Sequence, residues 1–271
     1  MLTVSQLFIY PIKSLGGLAL DTAEVTDRGL KYDRRWMLID DNNRFLSQRE
    51  FAQMALLSVS IEAAGLRVTY LKDGSSIGIP FIPQTNTDIP VTVWDDTCTG
   101  TLVCPDIDKW FTNVLGMNAR LVYMADVSRR EVDPRYAHEQ QITSFADAYP
   151  FLLIGQASLD ELNTRLQSPI RMDRFRPNIV FSGGEPFEED VMPHIRIGDI
   201  DFYGVKRCAR CVMITIDQQS AAKHPEPLKV LAKYRAQNNK IYFGQNLLHK
   251  GTGNISVGDV LEVVAKPAAI L

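Results

Sequence analysis

Apolar and polar positions alternate over much of the first hundred residues, which predicts β structure, because successive strand side chains point to opposite faces. Val4 to Ile12 reads as a strand that Pro11 brings to its end. Arg35 to Ile39 reads as another, followed by the turn-forming Asp40-Asp41-Asn42-Asn43 and a return through Arg44-Phe45-Leu46. Leu56 to Ile61, Leu66 to Leu71 and Ser76 to Ile79 are short strands parted by Gly65 and by Asp73-Gly74. Short strands at this spacing predict a barrel or a curled sheet.

The pattern then becomes mixed. Asp108 to Gly116 predicts a short helix with glycine as its stop, and Ala119 to Met124 a strand. A polar, irregular stretch runs on to Ser144 with Arg129, Arg130, Glu131, Asp133, Arg135 and His138. It reads as a solvated surface loop, with a lid over a site as the alternative. Ser158-Leu159-Asp160-Glu161 reads as a capping box opening a helix whose face is Leu159, Leu162 and Leu166. A second helix is expected from Pro227 to Gln237. Ile195-Arg196-Ile197-Gly198-Asp199-Ile200 and Ile255-Ser256-Val257-Gly258-Asp259-Val260 each set Gly-Asp among alternating apolar residues, a tight-turn signal. The expected fold class is mixed and β-rich (α+β), its two parts packed closely without a flexible linker.

Composition narrows the partners. A chain of 271 residues can bury a sizeable core without staples. Its net charge of −3 offers no general attraction to a nucleic acid polymer or an anionic membrane, so an anionic ligand needs a local basic site. Met1-Leu2-Thr3-Val4 lacks the features of an export signal, and apolar runs such as Phe151-Leu152-Leu153-Ile154 are far too short to span a bilayer. Four cysteines do not make a disulfide framework. The expectation is a cytoplasmic protein.

Chemistry concentrates in Lys206-Arg207-Cys208-Ala209-Arg210-Cys211, two thiols three residues apart among cations that favour the thiolate. One reading is half of a structural zinc site, but Cys98 and Cys104 are loosely spaced and His138, His194, His224 and His249 are scattered. Another is a redox pair, which prefers a strand-to-helix junction, whereas Val212-Met213-Ile214-Thr215-Ile216 reads as a continuing strand. A single cysteine acting as a soft ligand to a transition metal is the third. Lys13-Ser14, Arg34-Arg35 and Arg174-Phe175-Arg176-Pro177-Asn178 place cations and polar donors at strand mouths. Each alone is explained as a surface charge at a strand end; together they suit a phosphate pocket. No Walker or dinucleotide loop is present.

These residues carry a family resemblance. Leu7-Phe8-Ile9-Tyr10-Pro11-Ile12-Lys13-Ser14 and Tyr32-Asp33-Arg34-Arg35-Trp36 resemble the N-terminal β-barrel module of MOSC proteins. Ser144-Phe145-Ala146-Asp147-Ala148-Tyr149-Pro150, Phe175-Arg176-Pro177-Asn178, Cys208-Ala209-Arg210-Cys211, Phe243-Gly244-Gln245-Asn246 and Val257-Gly258-Asp259 are similar to the MOSC domain itself. The resemblance runs in order through nearly the whole chain. It implies a MOSC N-terminal β-barrel module at 1–118 and a MOSC β-barrel domain with a few helices at 119–271. The implied type is the bacterial and mitochondrial amidoxime-reducing enzymes, which bind molybdenum cofactor (molybdopterin with molybdenum).

Carried over position by position, the resemblance makes Cys211 the molybdenum ligand. It implies that Lys13, Ser14 and Arg34 hold the cofactor from the N-terminal module, and Arg176, Asn178, Arg210 and Asn246 from the MOSC side. Asp147 matches an acid near the metal and is the implied proton donor; a turn or cap aspartate is its plain alternative. Arg207 and Arg210 are expected to keep the thiolate ionised. The implied activity is reduction of N-hydroxylated or N-oxide compounds by oxygen-atom transfer to molybdenum. Unlike relatives with a ferredoxin-like module, this sequence has no cysteine after Cys211, which implies no iron–sulfur cluster in the chain. Electrons would come from a separate ferredoxin-, flavin- or cytochrome-type donor protein. Ala148-Tyr149 replaces the small hydroxyl-bearing pair of some relatives. The alternative is a cofactor carrier or sulfur-transfer module without its own turnover. Pyridoxal phosphate binding enters at the family level only, through sulfurases that carry a separate lyase domain.

Overall fold

The computed structural model describes residues 1–137 and 140–265, so His138 lies outside the described residues. Its largest sheet has nine strands, eight of them in the order Leu261–Ala265, His194–Ile197, Ile200–Arg210, Lys240–Lys250, Phe151–Gly155, Ile179–Ser182, Thr3–Ile9 and Leu18–Leu20. The short Ala236–Gln237 pairs with Lys240–Lys250 off this path. The chain's first strand thus lies beside Ile179–Ser182, whose other neighbour, Phe151–Gly155, pairs with it in parallel. Thr22–Thr26 likewise pairs with Gly253–Ser256 near the far end of the sequence. Three smaller sheets build the rest: that pair with Gly29–Leu30 in one, Trp36–Ile39, Arg120–Tyr123, Asp96–Leu102 and Asp88–Val93 in another, Leu57–Glu62, Gly65–Tyr70 and Ser76–Pro80 in the third. The mixed, β-rich class is what the strand pattern predicts.

Two cores follow from these faces. One gathers Ile12, Trp36, Leu38, Leu57, Val68, Phe111 and Leu121 beneath the smaller sheets. The other gathers Leu7, Ile9, Phe151, Ile179, Phe181, Phe202 and Leu247, so residues from both ends of the chain share it. Helix α1, Pro105–Leu115, starts with proline, which suits a position whose N–H has no helical partner, and stops at Gly116 in the left-handed region (φ 69°). Helices α2, Gln156–Thr164, and α3, Glu226–Tyr234, cover a third cluster that includes Leu159, Leu162, Phe175, Ile214 and Leu231.

Several local expectations are corrected. Arg44 and Phe45 form isolated bridges to Thr92 and Ile39 instead of a strand. The hairpin Asp88–Val93/Asp96–Leu102 goes unpredicted, because threonine, proline and glycine interrupt its alternation. Ser158 is inside α2, not at its start; its hydroxyl donates to Glu189 Oε2 (2.8 Å) and accepts from Phe187 N (2.7 Å). A long-range acceptor has displaced the local cap. Helix α3 ends at Tyr234, before Gln237. Val212–Thr215 is a 3-10 turn, so the chain bends at once after Cys211. The polar stretch before Ser144 is not wholly solvated: Arg130 is 4% exposed and fastens the segment that follows.

Candidate functional site

The site is assembled by backbone pairing around Pro11. Proline ends the first strand, and the loop that follows lies against the start of Trp36–Ile39: Trp36 N donates to Pro11 O, and Lys13 N to Trp36 O. Buried Asp33 accepts from Tyr10 N (2.8 Å) and pairs with Arg34 (2.6 Å). Phe145 N donates to Arg34 O, which brings in the Ser144–Pro150 segment. Arg130 clamps that segment from below, donating to the carbonyls of Ser144 (3.0 Å), Ala146 (2.5 Å) and Asp147 (3.0 Å) while pairing with Asp96. From the other side, Ile200–Arg210 shifts register against Lys240–Lys250 between Gly204 and Lys206 and again between Arg207 and Ala209. Such bulges re-aim side chains, and this strand ends at the two thiols.

All nine residues singled out in the sequence, Lys13, Ser14, Arg34, Asp147, Arg176, Asn178, Arg210, Cys211 and Asn246, line one cleft of about 140 Å³. Three of them hold left-handed backbone: Ser14 (φ 68°), Arg34 (φ 48°) and Arg176 (φ 56°). Non-glycine residues there cost of order 1 kcal/mol each and cluster at functional sites. The ring of Tyr10 lies between two guanidiniums, with Arg176 Cζ at 4.1 Å and Arg34 Cζ at 4.3 Å from its centroid. Burial pushes the Tyr10 phenol well above its ordinary value, so the stack stays neutral at its centre.

Hydrogen bonding separates framework from free donors. Asn178 is committed to the fold: its side chain accepts from Leu152 N and Arg34 Nη1 and donates to Phe8 O. Asn246 Nδ2 donates to Lys206 O (3.0 Å). Arg176 Nη1 donates to Leu15 O (2.7 Å), but among the described residues its buried Nη2 has no partner, and neither has Arg174 Nη1. A buried donor left unmade costs roughly 1–3 kcal/mol, so these two groups mark where an acceptor belongs. The lining holds six cations (Lys13, Arg34, Arg49, Arg174, Arg176 and Arg210) and one carboxylate, Asp147. That imbalance suits an anionic group, even with Arg34 paired to Asp33 and Arg174 to Asp217.

Two cations hold the carboxylate. Lys13 Nζ donates to Asp147 Oδ1 (2.6 Å) and to Phe145 O (2.8 Å); Arg49 Nη2 donates to Asp147 Oδ2 (3.0 Å). Desolvation works against the charged form, yet Lys13 and Arg49 hold the Asp147 carboxyl far below the usual carboxylate range. Burial pushes the Lys13 ammonium down to about 8, with Asp147 opposing.

Arg49 went unseen in the sequence. Its Nε stands 3.3 Å from Cys211 Sγ, and the guanidinium lies 4.6 Å over the Trp94 ring. Ser47-Gln48-Arg49-Glu50 looks like a solvated turn; nothing in its spacing shows that Gln48 is fully buried, donating to Ser14 O (2.8 Å). The expectation for Arg207 is corrected: it stacks 4.6 Å over Tyr242 and bonds Gln237, away from the thiols. Arg210 reaches Cys208 Sγ (2.9 Å) and Phe175 O, not Cys211. The cysteines are all free thiols. Among the described residues, no three His, Cys, Asp or Glu side chains gather as a metal cluster, so the ligands a zinc site needs are not assembled around this pair. Among the described residues no helix is long and apolar enough to cross a membrane.

A half-buried thiol at the mouth of a cationic cleft with unspent buried donors can bind a large anionic group that includes a soft metal. The comparisons agree in kind. The profile of the MOSC N-terminal beta barrel domain matches residues 1–118, and that of the MOSC domain residues 140–262. Mitochondrial amidoxime-reducing component 1 of Mus musculus is 34% identical over 278 residues, covering 95% of this chain and 81% of that protein. Its Homo sapiens counterpart is 31% identical with the same coverage. A molybdenum cofactor sulfurase of Drosophila grimshawi is 32% identical over 88% of this chain but only 31% of its own length. With both domains present in order and such identity along nearly its whole length, this chain belongs to the MOSC family that includes the mitochondrial amidoxime-reducing components.

Proposed function

We propose that the chain is a molybdenum-cofactor-dependent oxidoreductase that reduces N-hydroxylated or N-oxide compounds with electrons from a separate donor protein. The observation that carries this reading is Cys211 under Arg49, in the same cleft as the unpartnered Arg176 Nη2. Soft sulfur and an excess of buried cation fit a dithiolene-bound metal with a phosphate. When bound, the cofactor supplies two-electron removal of oxygen from an N–OH or N-oxide group. The protein's part follows from its own residues. Cys211 would provide the thiolate ligand. Arg176, Arg34, Ser14, Arg210 and Asn246 would hold the cofactor's anionic part, and Asn178 would keep Arg34 in register through its bond to Arg34 Nη1. The two-module division at 118/119 and a cytoplasmic location are part of the same proposal.

Proton supply passes from Asp147 to Lys13 in this reading. Asp147 is held as the anion by two cations, which leaves its carboxylate no proton to give. Lys13 Nζ carries one, at an ammonium that burial has made more acidic, and Asp147 keeps it in place.

A second reading, a cofactor carrier or sulfur-transfer module, is favoured by one observation. The match to the sulfurase spans most of this chain but a minor part of that protein. One experiment separates them: express the chain in a host with an intact molybdenum cofactor pathway, measure molybdenum per protein, then assay benzamidoxime reduction with a reduced dye. Bound molybdenum with turnover supports the reductase. Bound molybdenum without turnover gives the carrier, and protein without molybdenum sinks both.

A further inference from the structure

A second cavity, of about 540 Å³, opens beside the first, between the Val212–Thr215 turn and helix α3. Arg49 lines both. The groove begins at Val212, the residue after Cys211, and this valine is 49% exposed. Its other apolar walls are Ile216, Pro225, Leu228, Ala232 and Ile241, and Lys223, Lys229 and Arg49 stand among them, with no acidic residue among the described ones. Among the described residues neither lysine makes a salt bridge. The volume lies within the roughly 300–1,000 Å³ of small-molecule sites, and the mix of apolar wall and few polar groups is the one such sites use.

The cleft cannot serve every part of a substrate. Its six cations suit an anionic group, while Met213 and Ile214 on the turn after Cys211 give it an apolar side that leads toward the groove. The groove extends that apolar surface at the adjoining position through Val212, Ile216 and Leu228. We propose that it is the subsite for the organic body of the substrate, selecting N-hydroxylated compounds whose aromatic or alkyl body carries an anionic group. The reactive N–OH end would then face Cys211 while the body lies along Val212, Leu228 and Ala232. Lys223 and Lys229 supply the complementary charge. This rests on the reductase reading above and adds the substrate class to it.

The test is calorimetric binding to the cofactor-loaded protein, with 4-carboxybenzamidoxime and benzamidoxime as probes. Ala232→Trp, at an exposed position of α3, fills the groove and should raise Kd for both compounds about tenfold or more, the scale of burying one ring. Lys229→Gln should raise Kd for the carboxylated compound about fivefold, the scale of one exposed ion pair, and leave benzamidoxime unchanged. Failure of the wild type to bind either probe, or a Kd that neither variant moves, overturns the proposal and leaves the groove to a macromolecular partner. Turnover measured alongside keeps the two claims apart. Variant-sensitive binding without turnover upholds the groove and sinks the reductase; turnover with an unmoved Kd does the reverse.

Discussion

Arg49 joins Cys211 to Asp147 through one rigid fork: Nε is 3.3 Å from Cys211 Sγ and Nη2 is 3.0 Å from Asp147 Oδ2. Its third nitrogen donates to Ser47 Oγ (3.1 Å), so all three are directed. A lysine keeps the charge but cannot reproduce a planar fork. Arg49→Lys should therefore reduce turnover by roughly ten- to a hundredfold, the value of one or two charge-assisted hydrogen bonds. Molybdenum content should stay near that of the wild type. Parallel metal analysis and steady-state kinetics check this, and an unchanged kcat would show that the contact does not position the thiol.

The two cysteines differ in surroundings, and their substitutions should differ too. Both thiols line the cleft, but Cys211 Sγ accepts from Arg49, whereas Cys208 Sγ accepts from Arg210. Cys211→Ser should abolish reduction, and Cys208→Ser should keep most of it. Total loss from both would return the pair to joint-thiol chemistry. The reductase assay with a reduced dye decides between these outcomes.

What the sequence made legible divides along physical lines. Strands such as Leu57–Glu62 and Gly65–Tyr70 declare themselves because their alternation is local. Lys13, Ser14, Arg34, Arg176 and Asn178 were legible at strand mouths and Cys211 with Arg210 in the paired-thiol segment, whereas Asp147 and Asn246 were reached only through the family resemblance. Arg49 was not legible, because its role arises from a stack on Trp94 and a bond to Cys211, 162 residues away. The capping box failed for the same reason: Ser158 finds Glu189 thirty-one residues on, and no spacing rule reports such a partner. Similarly, the run after Cys211 has strand-like composition, but its 3-10 turn packs under α3.

Lys13 gives the site a pH signature with opposed signs. Its ammonium titrates near 8 in the folded protein against 10.5 ordinarily. If it supplies the proton, kcat/KM should fall as pH rises through about 8. Stability runs the other way. Between these two values the unfolded chain holds more proton, so the penalty of burying the ammonium is present in full below 8 and is relieved as pH rises. A pH–rate profile and thermal melts over pH 7 to 10 test both. Activity and melting temperature falling together would assign the loss to unfolding instead.

Glu189 is fully buried behind α2, and its Oε1 has no partner among the described residues. Burial raises its carboxyl to about 7 from an ordinary 4.5. The folded protein therefore keeps a proton that the unfolded chain releases, and this group's contribution worsens as pH climbs from 4.5 to 7. Glu189→Gln should stabilise the protein at pH 8 by on the order of 2 kcal/mol and change little at pH 5. Urea melts at the two pH values check it; equal destabilisation at both would mean that the Ser158 contact outweighs the buried charge.

Arg176 tests the anion pocket most directly. Its backbone is left-handed, so Arg176→Gly removes the guanidinium without adding strain, where alanine would retain it. Burial and Arg34 push this guanidinium down to about 10, a sign that its charge is poorly compensated by the protein alone. Losing the bond to Leu15 O and the stack on Tyr10 costs stability, and removing an under-compensated charge returns part of it. The melting temperature of the cofactor-free protein should therefore move by only about 2–4 °C, equivalent to roughly 1 kcal/mol in a domain of this size. Molybdenum per protein should fall severalfold, because the unspent Nη2 donor is the one a phosphate would take. Metal analysis beside thermal melts separates the two effects. Wild-type molybdenum content in this variant would remove Arg176 from the pocket, and a large drop in melting temperature would make it a framework residue like Asn178.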